Sequence, residues 1–215
     1  MQKLKGLLKA AHFGPTLIVT AISFGFGTYY WWEGPAYVIA FGVFTGQLVV
    51  GWSNDLYDFD DDLKHQRAKK PLVSGLITKQ YLQKWLRFMV PFSFVANLLG
   101  PLGIKGGSVY MLGIAFGVAY NFYFKFSILS PLPYAIAFAA LPSSVALSKE
   151  INPPMWMLLG GALFGMAAHF INVIKDMDQD QASGIKGLPQ RLGKVKSIAV
   201  AVVLIALSIA LLIVS

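Results

Sequence analysis

Long apolar runs separated by short polar connections dominate the pattern of hydrophobic positions along this chain. Seven runs approach the ~20 residues that an α-helix needs to cross a ~30 Å hydrocarbon core. They cover about residues 16–32, 35–53, 83–103, 108–124, 131–148, 154–174 and 198–214. Since lipid offers no partners for free backbone polar groups, helices are the expected spanning elements. The pattern therefore predicts an all-α, polytopic transmembrane helical bundle of about seven spans, formed by one domain over residues 1–215.

Composition supports a membrane protein and excludes several other classes. Hydrophobic residues make up 56% of the chain and charged residues only 13%, about half the share that is usual in soluble proteins, ~25%. Cysteine is absent, which excludes disulfides, cysteine-bound iron–sulfur clusters and cysteine–zinc sites. The net charge of +8 sits in short connections between apolar runs. That placement indicates membrane topology, so we expect a lipid bilayer as partner and no nucleic acid.

The distribution of basic residues predicts the orientation. With a cytoplasmic amino terminus and seven spans, every Lys and Arg except Lys105 and Lys149 falls on the inner side, in agreement with the positive-inside rule. The first 13 residues are too mixed for a signal peptide, and they predict a short basic helix at the membrane interface. We expect an integral, multi-pass protein, in the cell membrane of a bacterium or archaeon.

The acidic residues concentrate in two short segments on the predicted cytoplasmic side. All ten Asp and Glu except Glu33 and Glu150 lie in residues 55–62 or 176–180. If the helices continue out of the membrane, residues advance by about 100° each, which places certain carboxylates on one face. These are Asp55, Asp58 and Asp62 in the first segment, and Asp176 and Asp180, with His169 and Asn172, in the second. Asp60 and Asp178 point away from these faces.

Carboxylates that share a helix face repel one another, and a bound cation removes that cost. All-oxygen ligands without cysteine favour Mg²⁺ or Mn²⁺ over Zn²⁺. Because Mg²⁺ prefers one or two carboxylates together with substrate phosphates, the two acidic faces predict a magnesium–diphosphate site. The alternative is that these acids are solvated loop residues that balance a basic side.

The same residues resemble the UbiA superfamily of intramembrane prenyltransferases. Asn54, Asp55, Asp58 and Asp62 fit its N-D-x-x-D-x-x-x-D signature, and Asp176 and Asp180 fit its second D-x-x-x-D motif. The segment RAKKPLVSG from Arg67 is similar to the family's R-T-x-x-R-P-L-x-S-G, but is one residue shorter and has Lys70 where Arg is usual. The segments AYNFYFK, ending at Lys125, and GIKGLP, containing Lys186, resemble further family motifs in the expected order.

The resemblance implies an enzyme that transfers a prenyl group from an isoprenyl diphosphate to a lipophilic, usually aromatic, acceptor, as in quinone or prenyl-lipid biosynthesis. It implies a central cavity, open to the cytoplasm and laterally to lipid. The five motif aspartates would hold Mg²⁺, and the remaining candidates would bind substrate. These are Asn54, Arg67, Lys70, Tyr120, Asn121, Lys125, His169, Asn172 and Lys186. For His169, an acceptor-pocket role and a packed polar role are both open.

Two further points are left open by the sequence. Family members usually have nine transmembrane helices, so this chain is either a shortened member or lacks the last two. A divalent-cation transporter or sensor, and an enzyme like the CDP-alcohol phosphotransferases, are the alternative functions. The first would place acids at mid-membrane depth, and the second would carry a D-G-x-x-A-R motif that this sequence lacks.

Overall fold

A computed structural model describes residues 2–214, which form helices and no strands. The α-helices are α1 (Gln2–Ala10), α2 (Phe13–Tyr30), α3 (Glu33–Lys64), α4 (Lys79–Leu99), α5 (Gly103–Phe122), α6 (Leu132–Leu147), α7 (Gly161–Ala182), α8 (Leu188–Leu192) and α9 (Lys194–Val214). A 3₁₀ turn (Phe124–Phe126) follows α5, and a π-helical turn (Trp156–Gly160) leads into α7.

Every predicted apolar run coincides with one of the longer helices, which confirms the all-α bundle. By length and composition, three helical stretches within residues 2–214 could cross a membrane: Glu33–Lys64, Trp156–Ala182 and Lys194–Val214. The pair α1 and α2, bent by 70°, would be a fourth if it formed one span. The count of seven spans therefore stays a prediction, as does the central cavity.

Small residues allow neighbouring helices to approach closely, as is usual for membrane bundles. A Cβ atom on Gly165 of α7 would lie 2.3 Å from the carbonyl oxygen of Tyr134 on α6. On α5, a Cβ atom on Gly107 would lie 2.4 Å from the carbonyl oxygen of Asn97 on α4. These contacts place consecutive helices side by side, α4 beside α5 and α6 beside α7.

The basic amino-terminal helix is integrated into the fold more firmly than an interfacial helix requires. His12 adopts a left-handed backbone conformation (φ 51°) and makes the corner between α1 and α2. The indole nitrogen of Trp52 donates a hydrogen bond to the Leu7 carbonyl at 2.9 Å, and Gly51 packs directly against the backbone of Ala11. As a result, α1 joins a hydrophobic cluster with α3, α4 and the connection between them.

Candidate active site

The first acidic segment lies on the last three turns of α3, which continues well beyond the apolar run. The predicted shared face is therefore formed: Asp55 and Asp62 are each only 2% exposed, and Asp58 is half-buried beside them. Asp60 points away, as expected, with an 85% exposed side chain whose carboxylate is 3.7 Å from Lys79 Nζ. The helix thus gathers three carboxylates on its inner side.

Two cations from the connection after α3 pair with the buried carboxylates. Lys70 Nζ lies 2.8 Å from Asp55 Oδ1 and 3.6 Å from Asp62 Oδ2. The Arg67 guanidinium donates to Asp62 Oδ1 at 2.6 Å. Burial opposes the charge on Lys70, but the attraction of Asp55, Asp62 and Asp58 together outweighs it and raises the pKa of Lys70 above its ordinary value. Lys70 is therefore a permanent cation at the centre of the acidic face.

The third carboxylate, Asp58, is paired from a different part of the chain. Lys125, which is buried in the 3₁₀ turn after α5, donates to Asp58 Oδ1. Asn54 Nδ2 also donates to Asp58 Oδ2 at 3.0 Å and contacts Asn121 Oδ1 at 3.2 Å. Asn121 in turn donates to Ser53 Oγ at 3.2 Å. These hydrogen bonds join the predicted residues of α3 and α5 in one polar network.

The second acidic segment lies at the end of α7, which extends to Ala182. Asp176 is exposed, and Asp180 is half-buried and accepts a hydrogen bond from Gln190 Nε2 at 2.8 Å. Asp178 is exposed as expected. The second guanidinium nitrogen of Arg67 donates to Ser183 Oγ at 2.6 Å. Arg67 therefore connects the end of α7 to the first acidic segment.

His169 forms part of an aromatic group one turn or more before Asp176. It is 1% exposed, its Nε2 lies 3.0 Å from Ser130 Oγ, and its ring contacts those of Tyr120 and Tyr134. Asn172, on the same helix, is exposed. His169 is thus a packed and hydrogen-bonded residue, while an additional contact with the acceptor stays a prediction.

The structure differs from the sequence-based expectation for four residues: Lys186, Gln190, Ser183 and His12. The Lys186 side chain is exposed and makes no ion pair with the acidic residues within residues 2–214. Conversely, sequence reasoning overlooked Gln190 and Ser183, and it treated His12 as an interfacial residue. The structure places His12 Nε2 only 3.6 Å from Asp55 Oδ1. The sequence signal for His12 is weak: a polar residue four positions before the first predicted span.

The arrangement suits a cation that binds together with a phosphate better than a pre-formed metal cage. Residues 2–214 hold no group of three or more His, Asp or Glu side chains that could ligate a metal by themselves. Asp55 Oδ2 is nevertheless buried without a hydrogen-bond partner, and such a carboxylate oxygen is a ligand that Mg²⁺ accepts. The donors are all oxygen atoms, so they fit Mg²⁺ shared with a substrate.

A comparison with protein-family models identifies the class of protein that this fold and site define. Residues 12–215 match the UbiA prenyltransferase family. The chain belongs to this family of membrane-embedded enzymes, and it is a prenyltransferase. No curated protein sequence matches the chain significantly.

Solved structures share the fold. A UbiA homologue from Archaeoglobus fulgidus, bound to DMAPP and Mg²⁺, is 17% identical with a TM-score of 0.79; the match covers 96% of this chain and 76% of that chain. The same homologue bound to GPP and Mg²⁺ gives the same values. A structure described for digeranylgeranylglyceryl phosphate synthase is 21% identical with a TM-score of 0.70, over 98% of this chain and 76% of that one.

Proposed function

We propose that this protein catalyses Mg²⁺-dependent transfer of a prenyl group from an isoprenyl diphosphate to a lipophilic acceptor within the membrane. The observation that carries the proposal is the single charged network at the ends of α3 and α7. It holds Asp55, Asp58 and Asp62 beside Lys70 and other cations, and Asp180 lies within electrostatic range of Lys125 and Arg67. Membership of a prenyltransferase family and the ligands named for its Archaeoglobus fulgidus relative support it.

Acidic and basic residues have different roles when the diphosphate leaves. The C–O bond to the allylic carbon breaks, the electron pair leaves with the diphosphate, and the acceptor atom forms the new bond and loses a proton. Bound Mg²⁺ supplies positive charge for the leaving diphosphate, with the five motif aspartates as its holders. Arg67, Lys70 and Lys125 supply fixed cations: Arg can clamp two oxygens, whereas Lys acts as a point charge. Preorganised charge of this kind is usually the largest contribution to such catalysis.

The aromatic side chains around His169 are the proposed binding region for the prenyl chain and the acceptor. Tyr120 and Tyr134 pack against His169, on the side of α7 that leads to Asp176 and Asp180. Aromatic faces attract cations, so rings beside the diphosphate site would stabilise an allylic cation. By the same proposal, Asn172 and Lys186 contact substrate, and the site opens on the cytoplasmic side of the cell membrane.

A transfer assay tests the function. Labelled geranylgeranyl and longer prenyl diphosphates would be incubated with hydroxybenzoate, naphthoate, tocopherol-type, sugar phosphate and glycerol phosphate acceptors, with Mg²⁺ or with EDTA. We expect product only with Mg²⁺, and a loss of at least about 100-fold in Asp58→Asn and Asp176→Asn, since each removes charge that organises the leaving group. Asp178→Asn, an exposed carboxylate close by, is the matched control.

The same assay separates the alternatives. Full activity in EDTA, or equal activity of the Asp58→Asn, Asp176→Asn and Asp178→Asn proteins, would contradict the proposed mechanism. Mg²⁺ uptake into vesicles without transfer to any acceptor would instead favour a cation transporter. Transfer of a phosphoalcohol group from a CDP-alcohol would favour the second alternative.

A further inference from the structure

The corner between α1 and α2 carries a groove whose lining residues, apart from His12, were not placed in the candidate active site. Its volume is about 660 Å³, within the range of ligand pockets (roughly 300–1,000 Å³). It is open to the surface and lined by Leu4, Lys5, Leu8, Lys9, His12, Phe13, Gly14 and Pro15. The opposite side of α1, with Gly6, Leu7 and Ala10, is buried in the protein.

The groove has an apolar part and a basic part, because of helical spacing. Leu4 and Leu8 are one turn apart on α1, and Lys5 and Lys9 form the neighbouring row, so two parallel stripes run along the helix. Phe13 extends the apolar stripe at the start of α2. Neither lysine forms an ion pair with an acidic side chain within residues 2–214, so their positive charges are unmatched.

We propose that this groove binds a phospholipid with an anionic headgroup, the phosphate at Lys5 and Lys9 and an acyl chain along Leu4, Leu8 and Phe13. Unmatched positive charge beside apolar surface is complementary to an anionic amphiphile. Basic residues near a membrane surface attract anionic lipids, and a membrane-embedded enzyme is surrounded by them.

The position of the groove favours a membrane lipid over the prenyl donor. Leu7 and Ala11, which do not line the groove, pack against Trp52 and Gly51 of α3. Only His12 belongs to both sides, since it lines the groove and lies 3.6 Å from Asp55. A lipid in the groove would therefore hold the corner of the fold against the first acidic segment, without entering the site.

Lipid binding can be measured on the full chain, independently of transfer activity. Protein in neutral detergent would be titrated with phosphatidylglycerol and the bound lipid counted by native mass spectrometry. Lys5→Gln with Lys9→Gln should weaken binding about 30-fold, since each basic residue contributes about fivefold and the factors multiply. Lys194→Gln with Lys196→Gln, an equal charge change at the exposed start of α9, should leave binding unchanged. Leu4→Ser should weaken phosphatidylglycerol binding although it leaves the charge of the groove unchanged.

Other ligands define the results that overturn the proposal. Phosphatidylcholine should bind weakly and without dependence on the lysines, and inorganic phosphate should not compete. Equal phosphatidylglycerol binding by both double variants would overturn the groove as the site. Competition by inorganic phosphate at similar concentration would identify a free-phosphate site instead. Displacement of the lipid by geranylgeranyl diphosphate in EDTA, with the same lysine dependence, would identify the prenyl donor as the occupant.

Discussion

Replacing Lys70 by methionine should destabilise the free protein and at the same time increase its response to Mg²⁺. Lys70 Nζ is the nearest cation to Asp55 Oδ1, at 2.8 Å, and also lies 3.6 Å from Asp62. Methionine has a similar length and flexibility but no charge. The variant therefore leaves Asp55 without its main counter-charge and weakens the neutralisation of Asp62, while it changes the packing little.

The expected magnitude follows from the burial of the partners. Removing one partner of a buried ion pair costs roughly 3–5 kcal/mol, because the remaining charge is buried and unpaired. Both carboxylates are 2% exposed, but the Lys70 side chain is 25% exposed, so we expect the lower end, about 3 kcal/mol. For a chain of this size, 1 kcal/mol corresponds to roughly 2–4 °C in Tm, which gives a loss of about 6–12 °C in EDTA.

Mg²⁺ should then restore much of that loss. A ligand at 100 times its Kd stabilises a protein by about 2.7 kcal/mol, and it gains more where it replaces a missing counter-charge. Thermal unfolding in detergent, monitored with and without Mg²⁺, measures both effects. Lys69→Met, an exposed lysine next along the chain, is the control and should behave as the unaltered protein does. Equal Tm values for the two variants, or no larger Mg²⁺ response for Lys70→Met, would refute a cation site at Asp55.

Two further variants test other contacts. Gly51→Ala should lower stability by about 1–3 kcal/mol by overpacking, since its Cβ would lie 2.7–2.8 Å from the backbone of Ala11. Gly25→Ala, with open space around it, is the control and should not lower stability. Equal unfolding temperatures of the two variants would argue against tight docking of α1. Gln190→Ala should lower the apparent affinity for Mg²⁺ about tenfold, read as the Mg²⁺ concentration that gives half of the rise in Tm. Residues that orient metal ligands typically contribute 10–100-fold to affinity, and Gln190 donates a hydrogen bond to Asp180 at 2.8 Å. An unchanged Mg²⁺ titration of Gln190→Ala would remove Asp180 from the site.

The helical bundle and the shared face of Asp55, Asp58 and Asp62 were predictable, because both follow from local periodicity. Apolar runs of about 20 residues specify helices in lipid, and a continuing helix fixes which carboxylates face the same way. The boundary was not predictable in the same way: α3 continues to Lys64, eleven residues past the predicted apolar run. Polar residues at a helix end are compatible with either a helix or a loop, so only packing decides.

The partners of the carboxylates lay beyond sequence reasoning, because they depend on how connections fold back. Gln66 adopts a left-handed conformation (φ 50°), and the turn that it makes brings Arg67 and Lys70 against the end of α3. His12 reaches Asp55 from the opposite direction through a similar left-handed corner. A left-handed non-glycine residue leaves little trace in a sequence, and each of these two redirects a charged or polar side chain.

The pairing of every buried or half-buried α3 carboxylate with a cation has a consequence for how ligands bind. A diphosphate that bound without Mg²⁺ would have to draw Lys70 and Lys125 away from Asp55 and Asp58. The carboxylates would then be unpaired and would repel one another. That exchange is unfavourable in a low-dielectric site. With Mg²⁺ present, the carboxylates gain a new counter-charge at the same time as the lysines gain the phosphate oxygens, so no group is left unpaired. The ion pairs of the free protein thus favour joint binding of metal and diphosphate, which is also how Mg²⁺ is usually held in proteins.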